Sequence, residues 1–81
     1  MPKLYIHAIN SEFRLRDNGS DYDQPEDALP EAVWSAAALA VDEIHKGKAS
    51  TAIEVRIEQA DGTPLLRSVL SMSVSALLPT A

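Results

Sequence analysis

The stretch AIEVRIEQADGTPLLRSVL, residues 52–70, decides the architecture. Ile53, Val55 and Ile57 alternate with Glu54, Arg56 and Glu58, the period of a strand with one apolar face. Asp61-Gly62 follows as a hairpin turn, since the tightest turns need positive φ and glycine reaches it without steric cost. A two-residue turn there pairs Ile57 with Leu66 and Ile53 with Leu70 on the apolar side. It sets Arg56 directly across from Arg67 on the other, where like charges repel. Pro64 donates no ladder hydrogen bond, so the strand running from Pro64 to about Ser73 belongs at a sheet edge. Beyond Leu70, the apolar row Met72, Val74 and Ala76 alternates with Ser71, Ser73 and Ser75, so this strand is expected to outrun its partner.

Toward the N-terminus, residues 3–9 are rich in β-branched and aromatic side chains and read as a first strand. Asn10-Ser11 makes a two-residue turn into a second strand at 12–16. That turn pairs Ala8 with Phe13 and Ile6 with Leu15 on one face, and His7 with Arg14 and Tyr5 with Arg16 on the other. Residues 17–27 are a loop with an Asn18-Gly19 turn. A helix follows, with Asp27 as N-cap and Pro30 and Glu31 in the first turn. Leu29, Val33, Ala36, Ala37, Ala40, Val41 and Ile44 form its apolar face, with Glu31, Ser35, Asp42 and His45 opposite. Trp34 and Leu39 flank the stripe, and Trp34 is expected to pack over the sheet edge. Gly47 between Lys46 and Lys48 closes the helix.

The order is β-β-α-β-β: an α+β, two-layer sandwich with one helix packed on a four-stranded, mainly antiparallel sheet. The spatial order expected is second, first, third, fourth strand, with a right-handed crossover setting the third parallel to the first. Residues 1–76 form a single domain and 77–81 an apolar C-terminal tail. Of the 81 residues 46% are apolar, enough for one small core. There is no cysteine, hence no disulfide and no thiolate chemistry. No apolar run approaches the ~20 residues of a membrane span, and no basic segment precedes an apolar one at the start. The expectation is a cytoplasmic protein without a membrane partner.

The net charge of −5 is unevenly distributed. Residues 17–45 carry eight acidic groups, no Lys or Arg, and a balance of −8; the rest carry seven basic and four acidic groups, +3. An overall acidic chain argues against nucleic acid as a partner.

Catalytic signals are sparse. His7 and His45 fall on separate elements, which argues against a zinc site. The loop Asp17–Asp23 has a calcium-loop look but lacks the glycine and the distal Glu of that pattern. No serine sits in a nucleophile elbow and no glycine-rich loop cradles phosphate. Pro2, if exposed by loss of Met1, would suit an N-terminal-proline tautomerase, but those proteins pass from their first strand into a helix, whereas 12–16 form a strand here. No cofactor, metal or catalysis is expected.

One helix leaves the other side of the sheet open. It carries Tyr5, His7, Arg14, Arg16, Glu54, Arg56, Glu58, Leu65, Arg67 and Val69. Arginine, tyrosine and aliphatic groups together are enriched at protein interfaces. Two readings follow: association through this face, or a small-ligand or anion site built on Tyr5, His7, Arg14, Arg16, Arg56 and Arg67. Diagonal carboxylates, a bound anion or an acid from another subunit would each relieve the Arg56–Arg67 opposition. Trp34, with Met72 and Val74 on the long edge strand, are further interface candidates. The expectation is a homo-oligomer, a homodimer or larger, that also binds a partner protein.

The opening Met1-Pro2-Lys3-Leu4-Tyr5-Ile6-His7, the Asp17 to Gly19 turn, the Pro25-Glu26-Asp27 entry and the Ala28, Ala32, Ala36 helix carry a resemblance. With Asp61-Gly62 and Pro64-Leu65-Leu66 they are similar, over nearly the whole chain, to a family of short bacterial proteins of unknown function. Its members typically start Met-Pro-Arg with aromatics and a His or Asp. Leu4 and Ile6 stand where aromatics are usual, and the serine-rich tail is long. The resemblance implies the ββαββ pattern and no established activity. A second similarity is to antitoxin-type domains with a β-β-α-β core, which bind a toxin partner and often carry a basic DNA-binding tail; this chain has no such tail.

Overall fold

The computed structural model describes residues 3–75. Its elements are β1 (Lys3–Ile9), β2 (Arg14–Arg16), β3 (Ser20–Asp21), a 3-10 turn (Pro25–Ala28), α1 (Leu29–His45), β4 (Ser50–Glu58) and β5 (Pro64–Ser73). The sheet runs β2-β1-β4-β5, with β3 pairing the start of β1, and one helix lies on one face. The fold is α+β with the expected β-β-α-β-β order; the stretch read as a loop at 17–27 in addition contributes the two-residue strand β3, a fifth strand of the sheet, and most of the 3-10 turn. Pro2 and the segment 76–81, which includes the apolar tail, lie outside the described residues.

Every strand pairing is antiparallel, including β1 with β4. The parallel relation expected between them is therefore corrected. The crossover through α1 leaves from β3, which like β2 runs antiparallel to β1; it sets β3 and β4 parallel, and β1 opposes both.

The hairpin β4–β5 has the register its alternation predicts: Ile53 faces Leu70, Ile57 faces Leu66 and Arg56 faces Arg67. A bulge between Ile57 and Glu58 sets Glu58 against Pro64, so the turn is longer than two residues. Gln59 N donates to Thr63 O and Gly62 N to Gln59 O, with Gly62 at φ 89.

The β1–β2 hairpin departs by two residues. Ala8 faces Leu15 and His7 faces Arg16, in place of Phe13 and Arg14. Asn10 is the cause: its Oδ1 accepts from Glu12 N (2.7 Å) and Phe13 N (2.9 Å), and Asn10 N donates to Phe13 O. This side-chain turn spends residues 10–13 on the reversal. Because the slip is even, each side chain keeps its face.

The helix entry differs as well. Pro25–Ala28 is a 3-10 turn, and Asp27, expected as N-cap, instead accepts from Gln24 N at its Oδ2 (3.2 Å). The turn places Pro30 second in α1, where a missing N–H costs nothing.

The core comprises Leu4, Ile6 and Ala8 of β1, Ile53, Val55 and Ile57 of β4, and the column Ala28, Ala32, Ala36, Ala40 at 0% exposure. Residues four apart drift by only about 40° around a helix, so four alanines stay on one side. They let α1 lie close over β4. The expected apolar face is thus rotated: Ala32 is central to it, whereas Val33 and Val41 are exposed. Leu39 packs on the core, but Trp34 does not lie over the sheet edge; it is 73% exposed.

Candidate interaction surfaces

The open sheet face carries a cross-strand row of four basic residues: Arg16, His7, Arg56 and Arg67 from β2, β1, β4 and β5. Two glutamates on β4 hold it together. Glu58, 4% exposed, accepts from His7 Nδ1 at 3.1 Å through Oε2 and from Arg16 Nε at 3.0 Å through Oε1. Arg16 Nη2 also donates to Gln59 O at 3.0 Å. The Arg16 guanidinium stacks over the Tyr5 ring, 4.1 Å from its centroid, where the ring quadrupole attracts a cation.

Gly19 also lies close against that ring. Its φ is +83, and a Cβ there would stand 2.8 Å from Tyr5 Cε2. Asp17 fixes this turn, with Oδ1 accepting from Ile6 N (2.9 Å) and Gly19 N (3.0 Å). The Asp17 carboxylate that gives the loop its calcium-like look is thus engaged with backbone. Among the described residues, no group of three or more His, Cys, Asp or Glu is placed to hold a metal ion.

Glu54 is the second clamp. It pairs with Arg56 Nε, and through Oε1 with Arg67 Nη2 at 3.1 Å. These guanidiniums hold its carboxyl below its ordinary value, Arg56 contributing most. The opposition of Arg56 and Arg67 is therefore relieved within the chain. Arg14 is exposed at the β2 end of this face. The structure brings Tyr5, His7 and Arg16 into one contact group and Arg56 with Arg67 into another.

A cluster missed in the sequence lies at the far end of the helix. Glu43, 5% exposed, accepts from Asn10 Nδ2 through Oε1 and pairs with Lys48 Nζ through Oε2, each at 3.1 Å. Lys48 also meets Glu12. This ties the β1–β2 turn to the end of α1. The available signal was Glu43 itself, since an acid in a last helical turn opposes the dipole and needs a cation.

The Lys48 hydrogen bond, chiefly, holds the Glu43 carboxyl below its ordinary 4.5. A lowered folded value means that the stabilisation is complete above 4.5 and is lost as pH falls through the folded value. Lys48 is raised above 10.5, first by Glu12 and then by Glu43, so its share is complete below 10.5 and fades as pH rises through the raised value. Urea midpoints measured across the acid range are expected to fall below about pH 4.5, with a shallower slope for Glu43→Gln; equal slopes would refute the assignment.

Two further surfaces are open. The β5 edge is ten residues long, and Arg67 is its sole charge. Val69 is exposed along it and Val74 just beyond its end, whereas Met72 is half-buried against the core. The outer side of α1 is the other. Its residues Pro30, Trp34, Ala37, Ala38, Val41 and His45 fall within an arc of about 100°. Trp34, Ala37, Ala38 and Val41 line a hollow of about 360 Å³. Beside it, between α1 and β2, a groove of about 510 Å³ is lined by Ile6, Ala8, Leu15, Trp34 and Leu39 together with Arg16, Asp17 and Glu31.

These features define a small two-layer α+β domain with an open face on which Arg16, Arg56 and Arg67 share two carboxylates, and a helix whose outer side is apolar. The chain belongs to the family described as a domain of unknown function, DUF6894, whose model matches residues 4–71. No curated protein and no solved structure matches it. No helix among the described residues is long and apolar enough to cross a membrane.

Proposed function

We propose that the protein is a non-catalytic association module that self-assembles through the outer face of α1. The observation that carries this reading is Trp34, 73% exposed in a strip of the helix that holds no Asp, Glu, Lys or Arg. A helix apolar on its outer side as well as its inner side has a second surface to bury. Tryptophan in such a patch is the side chain most often found at the energetic centre of protein interfaces. Arg16, Arg56 and Arg67 already have carboxylate partners within the fold, which weakens the case for an anion site there. On this reading a second copy covers the strip, and the β5 edge and open sheet face stay free for a partner protein.

Trp34 is the only tryptophan, so its fluorescence reports its own surroundings. On concentration, the emission is expected to shift to the blue as the molar mass from light scattering doubles. Trp34→Ala is expected to raise the dissociation constant at least about 30-fold while the circular dichroism stays unchanged. A chain that remains monomeric into the millimolar range overturns the reading, as does assembly indifferent to Trp34→Ala.

A further inference from the structure

We infer that the groove between α1 and β2 is a binding site for a small organic cation, an ammonium carried on an apolar body. The site lies beside the outer strip of α1 and does not depend on self-association. It exists because the alanine column draws α1 over β4, which leaves the inner side of β2 largely uncovered. Leu15 shows the consequence. It pairs with the core residue Ala8, on the inner side of the sheet, yet is 52% exposed. Ile6 and Ala8 also line the groove, so it reaches the core. Its volume of about 510 Å³ lies within the ~300–1,000 Å³ of small-molecule sites. Its ten lining residues fall short of the ~20–30 that a standard protein interface uses on each side.

The groove is polar at one end and apolar at the other. Glu43, in the last turn of α1, bonds to Asn10 in the β1–β2 turn. The start of α1 therefore lies toward the opposite end of β1. That puts Glu31, in the first turn, at the same end as Asp17, whose Oδ1 accepts from Ile6 N. Ala8, Leu15 and Leu39 fall toward the other end.

Charge selects the occupant. Among the described residues, neither Asp17 nor Glu31 forms an ion pair. Arg16 lines the groove too, but its guanidinium is spent on Glu58 and the Tyr5 ring, on the open face of the sheet. Both carboxylates belong to the stretch 17–45, which holds no Lys or Arg, so the local field draws cations. Trp34, also in the lining, supplies an aromatic ring, a surface that attracts ammonium groups.

Phenethylammonium is a suitable probe, with phenethyl alcohol and hydrocinnamate as its neutral and anionic counterparts. It is expected to bind with a Kd of about 1 mM, the affinity a ligand of this size reaches. The two counterparts are expected to bind at least about 10-fold more weakly, and Glu31→Gln to weaken the cation about 3- to 5-fold. Added salt should weaken it as well. Amide shifts in the nuclear magnetic resonance spectrum should centre on Leu15, Glu31 and Ser35. If Glu31→Gln does not fold, Ser35→Lys, which plants a cation in the wall, takes its place and is expected to abolish binding. Equal affinity for phenethyl alcohol, a Kd indifferent to these substitutions, shifts centred outside the groove, or no saturable binding would each overturn the proposal. The titrations are run where light scattering shows a monomer. Failure here therefore leaves the reading of the α1 face standing, and a chain that never dimerises leaves this site standing.

Discussion

Glu58→Ala is expected to lower folding stability by about 2–3 kcal/mol. Removing one partner of a buried ion pair typically costs about 3–5 kcal/mol, because the other charge stays behind without compensation. Two features reduce the figure here. The Arg16 side chain is 36% exposed, and its Nη2 keeps the Gln59 carbonyl. Two features keep it substantial: Glu58 also accepts from His7, and it holds Arg16 over Tyr5. Glu58→Gln retains an acceptor and nearly the same volume, so a smaller loss, about 1 kcal/mol, is expected. Urea denaturation of Glu58→Ala, Arg16→Ala and the double variant supplies the coupling directly. The losses of the two single variants should exceed the loss of the double variant. A Glu58→Ala protein within about 0.5 kcal/mol of wild type, the range of an ordinary surface change, would show that this carboxylate does not organise the open face.

Ala36→Leu is expected to cost about 3 kcal/mol or more, at the upper end of what inserting bulk into a packed core costs. Ala36 is fully buried in the middle of the column that faces β4, where Ile53, Val55 and Ile57 are also fully buried or nearly so. Three extra carbon atoms there must lift α1 from the sheet or force neighbouring side chains off their rotamers. The rest of the helix cannot absorb the shift, because Glu43 anchors its last turn to Asn10 and Lys48. A lower thermal midpoint and faster backbone amide exchange in α1 and β4 are the expected readouts. Ala37→Leu, one position along on the half-exposed side, is the control, and at concentrations where the protein is monomeric it should change stability little. Equal effects at the two positions would mean that the helix is not rotated as described.

That rotation separates what could be read in the chain from what could not. Alanine is compatible with either face, so the sequence placed the larger Val33 and Val41 inward. In the fold, the distance between helix and sheet decides. The small column turns down because it permits the closest approach over β4, and Trp34 and the valines are left outside. The same limit applied to the β1–β2 turn. Apolar alternation sets which face each residue occupies, and a slip of two residues satisfies it equally well. The choice between registers was made by the Asn10 side chain and its hydrogen bonds to Glu12 and Phe13.

The open face was legible as a set of residues, since period-two alternation assigns each one to a side. Its pairing was not. Glu54 and Glu58 occupy equivalent positions in the alternation, and only the neighbouring strands show that one clamps Arg56 and Arg67 while the other joins His7 to Arg16.

By itself, then, the sequence determined the order of the four longer strand segments and the helix, the β4–β5 register down to Arg56 facing Arg67, and the alternating faces of β1 and β4. All of these follow from local periodicity and turn chemistry within short spans of chain. The tertiary structure alone decided the antiparallel placing of β1 against β4, the side of α1 that meets the sheet, the burial of Glu43 and Glu58, and the exposure of Trp34. Each depends on which groups from distant parts of the chain compete for the same space or the same charge, and no local pattern encodes that competition.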